Sequence, residues 1–383
     1  MRRMLRINLP MLLSMVALAA IGVVFVKSAG SYRATEVLQN VWQSQAVCAV
    51  LGLAGYFVCA RLDYRKVLDW LAIPAYGTSL LLLVAVLCAG EKIYGGRRWL
   101  WFFQPSEIAK PAVILLLAQI LAAQGFSHLK HLALALAAVG VPALLVLAEP
   151  DLGTALVIVP TGLMMILAAR LCRRALVPLL AVGLLAAGAI VGTVWYAERV
   201  AAPERREAIC RRLPLRPHQL KRLKVFVAPE SDPYAGGWNL RQAKISIGSG
   251  SVFGKGVGRG EVKFLGYLPP SVSMNDFIFA VLAEEAGFVG GSVTLGLFAV
   301  LVFAVLWVAF RASDERGRLL ALGVATLVFT HVYVNVAMSL GLMPITGLPL
   351  PFVSAGKTFL VILMATLGVV QSVCIHTEKG ESQ

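Results

Sequence analysis

The chain has 383 residues, of which 58% are hydrophobic and only 14% charged, with a mean hydropathy of +0.79. Soluble globular domains carry about 25% charged residues, so this composition excludes a soluble domain and indicates a polytopic membrane protein. The formal charge of +15 then reads as basic loops beside a membrane, with no nucleic-acid partner expected.

Runs near the roughly 20 apolar residues that cross a bilayer fall at Leu9–Val26, Ala46–Ala60, Trp70–Ala89, Ile108–Ala123 and Leu132–Ala148. Five more follow at Gly153–Leu171, Ala175–Tyr196, Phe288–Phe310, Leu319–Leu342 and Phe359–Val373. They predict an all-α polytopic membrane protein with about ten transmembrane helices. One membrane domain spans 1–383, with a large exoplasmic loop, 197–276, between the seventh and eighth helices. No internal repeat is visible. Met1 to Arg6 and Leu9–Val26 lack a small-residue cleavage site, so no cleaved signal peptide is expected. The six cysteines show neither CxxC nor metal-ligand spacing, which argues against a disulfide framework or a zinc site.

Short basic loops set the orientation. Arg2, Arg3 and Arg6, then Arg61, Arg65 and Lys66, Lys130, Arg170, Arg173 and Arg174, and Arg311, Arg316 and Arg318 all fall on one side. That side is cytoplasmic by the positive-inside rule, so both termini are expected there. Gly95-Gly96-Arg97-Arg98-Trp99 breaks the pattern, being basic on the exoplasmic side. Arg97 and Arg98 either snorkel to lipid phosphates or form an anion site.

Ser106 to Pro111 opens the fourth span. Glu107 and Lys110, three apart, share a helical face, and Pro111 is expected to kink the turn. The pair is a structural lock, or else Lys110 faces a cavity and meets substrate. Asp151, followed by Gly153 and Thr154, has ordinary helix-cap chemistry. Between the last two spans, Gly341 to Lys357 contains Pro344, Pro349 and Pro351. Such backbone at membrane depth is tolerated only where it is buried or walls a cavity.

The stretch from Gly248 to Gly287 carries the most information. Gly248, Gly250, Gly254, Gly256, Gly258 and Gly260 let backbone N–H groups approach a ligand closely, and Lys255, Arg259 and Lys263 among them suggest that the ligand is anionic. Asp276 stands alone just before the apolar run Phe277 to Leu282. It is a candidate for chemistry, although Ser273 to Asp276 also fits a capping box. Glu284 lies about 80° round the helix from Asp276 and Glu285 points to the opposite side, so the two glutamates are not expected to share one job.

Several motifs resemble the SEDS family (shape, elongation, division and sporulation), closest to its rod-shape, RodA branch. They are Gly95–Lys110 (GGRRWLWFFQPSEIAK), Glu149–Ala155 (EPDLGTA), Leu215–Gly250, Phe253–Gly256 (FGKG), Asn275–Gly290, Gly347–Gly356 (GLPLPFVSAG) and Ile375–Thr377. The resemblance implies a peptidoglycan glycosyltransferase that polymerises lipid II into β-1,4 glycan strands on the exoplasmic face of the bacterial inner membrane. It places the catalytic residue on Asp276, an important Trp on Trp99 and the motif Lys on Lys110. It also implies as partners a class B penicillin-binding transpeptidase and other elongation-complex proteins. Four stretches depart from the family pattern. Leu268 to Asp276 is two residues longer and lacks a Glu, Glu149 replaces Gln, Gly256 to Val262 lacks a Gln, and Ser354-Ala355-Gly356-Lys357 replaces SYGG.

That chemistry asks for little. A single inverting displacement of a diphosphate needs a base but no general acid, unlike glycosidases with their paired carboxylates. Asp276 is the candidate base, with Arg97, Arg98, Lys110, Lys255 and Arg259 as candidate diphosphate contacts. Trp99 joins them as a substrate contact. Glu107, Asp151, Gly248, Gly250, Gly256, Glu284 and Ser354 are candidate supports. No cofactor is identified; magnesium or manganese is conceivable, without a visible ligand cluster. The rival functions are a lipid II flippase or transporter, which would favour deep cations and repeat symmetry, and a non-catalytic scaffold.

Overall fold

Long apolar runs satisfy their backbone within lipid only as helices, and helices are what the computed structural model contains almost throughout. It describes residues 7–31, 39–93, 96–100, 103–123, 128–169, 173–213 and 215–377. In chain order come α1 (Leu9–Gly30), α2 (Val41–Arg61), α3 (Tyr64–Ala89), the antiparallel hairpin β1 (Glu91–Ile93) and β2 (Gly96–Trp99), α4 (Pro105–Ala122) and α5 (His128–Ala148). Then follow α6 (Leu152–Ala168), α7 (Arg173–Arg199), α8 (Pro203–Arg211), α9 (Pro217–Val227) and α10 (Gly236–Ser249). Two single-turn helices, α11 (Glu261–Phe264) and α12 (Pro270–Ser273), lead to α13 (Ile278–Arg311), α14 (Glu315–Leu340) and α15 (Lys357–Thr377).

Among the described residues nine helices are long and apolar enough to cross a membrane. The shorter apolar helix α6, of 17 residues, stands where the sixth span was expected. The all-α polytopic fold therefore has the expected span order. Within it α14 is the central helix: 72% of its apolar window is buried, against 11% for the outlying α7.

At the end holding the α2–α3 and α13–α14 turns, basic residues are tied down by acids. Arg65 pairs with Asp314 at 3.0 Å and Arg316 with Asp69 at 2.7 Å, while Asp314 also caps α14 through Gly317 N–H at 2.7 Å. The opposite end gathers the β-hairpin, the α5–α6 turn, the 200–277 segment and the proline-rich 341–356 loop.

Two features fix that end. The first is a break in α13. Its 34 residues would run about 50 Å as one helix, well beyond the roughly 30 Å hydrocarbon core. It is interrupted at Gly287, whose φ of 68° and ψ of −167° are non-helical. The backbone freed there is re-satisfied by the glycine loop, since Phe288 and Val289 N–H donate to Ser251 and Val252 carbonyls at 2.9 and 3.0 Å. A Cβ on Gly287 would lie 2.3 Å from Gly254 N, so only glycine fits.

The second is the 341–356 loop, pinned to the chain before α13. Ser354 Oγ donates to the Asn275 carbonyl at 2.6 Å and accepts from Leu350 N–H at 2.8 Å. Ala355 N–H donates to the Met274 carbonyl at 3.0 Å.

Candidate active site

Asp276 lies between these two features, outside the helix rather than capping it. Helix α13 starts at Ile278, its N-cap is Phe277, and no side chain caps it; the capping box expected from Ser273 to Asp276 does not form. The Asp276 backbone is held firmly: buried Asn335 on α14 donates through Nδ2 to the carbonyls of Asp276 at 2.9 Å and Leu348 at 2.7 Å. Gly347, with φ of 75°, passes so close that a Cβ there would sit 3.5 Å from Asp276 Oδ2.

The half-buried Asp276 carboxylate is left open. Among the described residues no hydrogen bond reaches its oxygens and no cation stands within ion-pair distance. Burial pushes its pKa up to about 6, with Asp151 adding to the rise and Arg222 and Arg98 opposing it. A carboxylate in that state is ionised at neutral pH yet more basic than usual, which suits a general base.

Two cavities lie at this end of the molecule, one lined by Asn275 and Gly347 beside Asp276 and the other by Arg98 and Arg222. One, of about 370 Å³, is lined by Trp99, Gln104, Glu107, Asn275, Gly347 and Pro349, with 355–359 closing it. The other, of about 270 Å³, is lined by Arg98, Pro150, His218, Lys221, Arg222 and Asp232, together with Ile345 and others. Neighbours in the β2 strand face opposite ways, so Arg98 lines the second cavity and Trp99 the first. In the 341–356 loop, Ile345 lines the second cavity and Gly347 the first. Arg98 Nη2 donates to the Pro150 carbonyl, and Arg222 Nη1 to the Thr346 carbonyl at 2.8 Å. Both guanidiniums are thereby aimed at the end of the molecule where Asp276 sits. Arg97 is in β2, but its side chain lies outside the described ones.

Other predicted contacts are placed elsewhere. Lys110 has its ammonium enclosed by Glu107 at 2.6 Å, His331 Nε2 at 3.1 Å and the Phe359 ring at 3.9 Å, and its side chain has no exposure. It locks α4 to α14 and α15, in place of the substrate contact expected of it. Asp151 caps α6, accepting Thr154 N–H at 3.1 Å and Thr154 Oγ1 at 2.8 Å, and also takes Gln104 Nε2 at 2.9 Å.

The glycine loop is corrected most. Its anion is the chain's own pair Glu284 and Glu285, each 1% exposed. Glu284 accepts from Glu261 N–H at 2.7 Å, Val262 N–H at 3.2 Å and Ser246 Oγ at 2.9 Å, and pairs with Lys255 at 3.0 Å. Glu285 accepts from Gly258 N–H at 2.9 Å, Gly260 N–H at 3.3 Å and Ser28 Oγ at 2.6 Å, and pairs with Lys263 at 2.5 Å. The two glutamates do share one job, because the loop wraps round the helix instead of docking on one face. A Cβ on Gly250 would collide with the Ala283 carbonyl at 2.0 Å, Gly256 has a φ of 98°, and a Cβ on Gly248 would meet nothing. Arg259 is exposed and is not among the charges acting on Asp276.

Arg222, Asn335 and His331 were not singled out from the sequence. His331 and Asn335 carried a usable signal, being polar residues four apart in an apolar span and so on one face. Arg222 sits among four other Lys and Arg residues from Arg212 to Lys224, and nothing in the sequence separates it from them. Among the described residues no group of three or more His, Cys, Asp or Glu could hold a metal.

The cell cycle protein family that groups FtsW, RodA and SpoVE matches residues 9–379. The chain belongs to that family. Among its relatives, the peptidoglycan glycosyltransferase MrdB of Escherichia coli K12 is 37% identical over 331 residues, 85% of this chain and 83% of that one. The peptidoglycan glycosyltransferase RodA of Treponema pallidum is 32% identical, over 95% of this chain and 96% of its own. In structure, RodA of Thermus thermophilus superposes with a TM-score of 0.67 at 28% identity, covering 98% of each chain. A chain of a peptidoglycan synthase complex, solved for how it coordinates polymerization and crosslinking, superposes with a TM-score of 0.73 at 30% identity, over 97% of this chain and 98% of that one. In sequence and in fold the chain thus has counterparts in the family over nearly its full length.

Proposed function

We propose that Asp276 is the general base of this peptidoglycan glycosyltransferase, and that lipid II is its substrate. Asp276 takes the proton of an acceptor 4-hydroxyl, the oxygen attacks the donor's anomeric carbon with inversion, and the bond to the diphosphate breaks. The diphosphate leaves with its own negative charge, so no acid is needed; Arg98 and Arg222 stabilise that charge from the cationic cavity. The acceptor sugar occupies the cavity walled by Trp99, Gln104 and Glu107, where an aromatic face and polar groups suit a saccharide.

The observation that carries this reading is the open Asp276 carboxylate, whose neighbours Asn275 and Gly347 line one cavity and on which Arg222 and Arg98, lining the other, act electrostatically. Basic loops at the far end of the bundle support an inner-membrane topology with cytoplasmic termini and the site exoplasmic. The likeness to a subunit of a synthase complex supports a class B penicillin-binding transpeptidase as partner, within the elongation machinery. Purified protein given labelled lipid II in detergent is expected to produce glycan ladders. Movement of lipid II across vesicles without ladders would favour a flippase, and neither result a scaffold.

A further inference from the structure

Glu149 is an unusual residue in an ordinary place. It follows the last residue of α5 and precedes the Pro150 carbonyl that holds Arg98 and the Asp151 carboxylate that caps α6. Its side chain has no exposure. Both carboxyl oxygens are buried and have no hydrogen-bond partner among the described residues. An ionised carboxylate so placed would be strongly destabilising, whereas a neutral acid is tolerable. A third orphan lies in the same locality: Arg98 Nε is buried and also without a partner.

The charges around Glu149 come from several elements. Asp151 is on its own turn, Arg98 comes from the hairpin, and Arg216, His218 and Arg222 come from the α9 region. Arg216 donates to the Ala148 carbonyl at 3.0 Å. His218 is pushed below the usual histidine range by burial and by Arg222, Arg216 and Arg98, so it is neutral at pH 7. With Glu149 neutral, Arg98, Arg216 and Arg222 stand against Asp151 and Asp276, three positive charges to two negative. Ionising Glu149 balances the cluster and supplies an acceptor for the Arg98 Nε–H that has no partner among the described residues.

We propose that Glu149 is a positioning residue that works protonated, leaving Arg98 free for the departing diphosphate, and that on losing its proton it captures Arg98 and slows the transfer. This rests on the catalytic reading above. Burial, with a smaller push from Asp151 against the pull of Arg98, raises the Glu149 pKa to about 8, so the change falls in an accessible range.

The test compares lipid II polymerisation by the full chain and by Glu149→Gln from about pH 6 to about pH 10. Between about pH 7 and about pH 9 a group titrating at about 8 goes from roughly nine-tenths to roughly one-tenth protonated. The parent rate is expected to fall roughly tenfold across that interval, and the Glu149→Gln rate to stay level. In parallel, the infrared difference between the two proteins should contain a protonated-carboxyl band at pH 7 that fades over the same interval. An equal alkaline fall in both proteins overturns the inference, and so does absence of the band whatever the activity. Should Glu149→Gln fail to fold, Arg98→Met, which leaves ionised Glu149 no side chain at position 98 to capture, is expected to have a lower rate without the alkaline fall, and an unchanged fall overturns the inference. A band without ladders at any pH sinks the catalytic reading and with it the effect on rate.

Discussion

Asp276 and the pair Glu284–Glu285 sit within ten residues on one side of the Gly287 break, and they represent opposite treatments of a buried carboxylate. The glutamates are saturated. Two lysines, four backbone N–H groups and two serine hydroxyls are spent on them, so they hold the glycine loop and have no capacity left for a ligand. Asp276 has a rigid backbone and an unpartnered head. The type of residue is the same in both places; the assignment of donors separates support from chemistry. A buried carboxylate with every lone pair occupied is structural, and one held by its main chain and left open is available to react.

The sharpest way to break that contrast is Asp276→Asn. Since no helix N–H depends on Asp276, the substitution should leave thermal stability and lipid II binding nearly unchanged. Polymerisation should fall by two to four orders of magnitude, about what a general base supplies. Normal ladders from this variant would assign the proton to another group.

At the saturated pair the consequences should be reversed. Lys263→Met leaves buried Glu285 without its ion-pair partner, at a cost of about 3 to 5 kcal/mol, read as a large drop in the thermal midpoint. Lys110→Met should behave similarly through Glu107. Activity surviving in either variant at low temperature would mark the lysine as structural, whereas a selective loss of activity at full stability would return it to the substrate.

Arg222→Ala sharpens the comparison from the cationic side. Removing one stabiliser of the leaving charge should cost about 3 kcal/mol in the transition state. Because Arg222 lowers the Asp276 pKa, its loss should also move the acid limb of the pH–rate profile above about 6. A carboxylate base is active above its pKa, so the parent loses activity as pH falls through that value, and the variant loses it earlier. An unshifted limb would remove Arg222 from the neighbourhood of the base. The smallest effect is expected from Ser354→Ala, which gives up the bond to the Asn275 carbonyl and the one from Leu350 N–H, at about 1 kcal/mol each. It should lower the rate modestly by loosening the approach to Asp276, and an unaltered rate would make that pin dispensable.

Length and apolar periodicity were enough to read the span order from the sequence, because a lipid environment leaves the backbone no alternative to helices. Asp276, Arg98, Trp99 and Ser354 were also legible, as polar residues in motifs at the ends of spans. The sequence could not say which cation serves which anion. Lys110, Lys255 and Arg259 look as available on paper as Arg222 does. Yet Lys110 is sealed against Glu107, Lys255 is claimed by Glu284, and Arg222 comes from a distant helix to reach the Thr346 carbonyl beside Asp276. Pairing depends on which side chains the packed helices bring within a few ångströms. Coulombic and hydrogen-bond energies fall off over that distance, so tertiary structure alone decides which carboxylate is filled and which stays open.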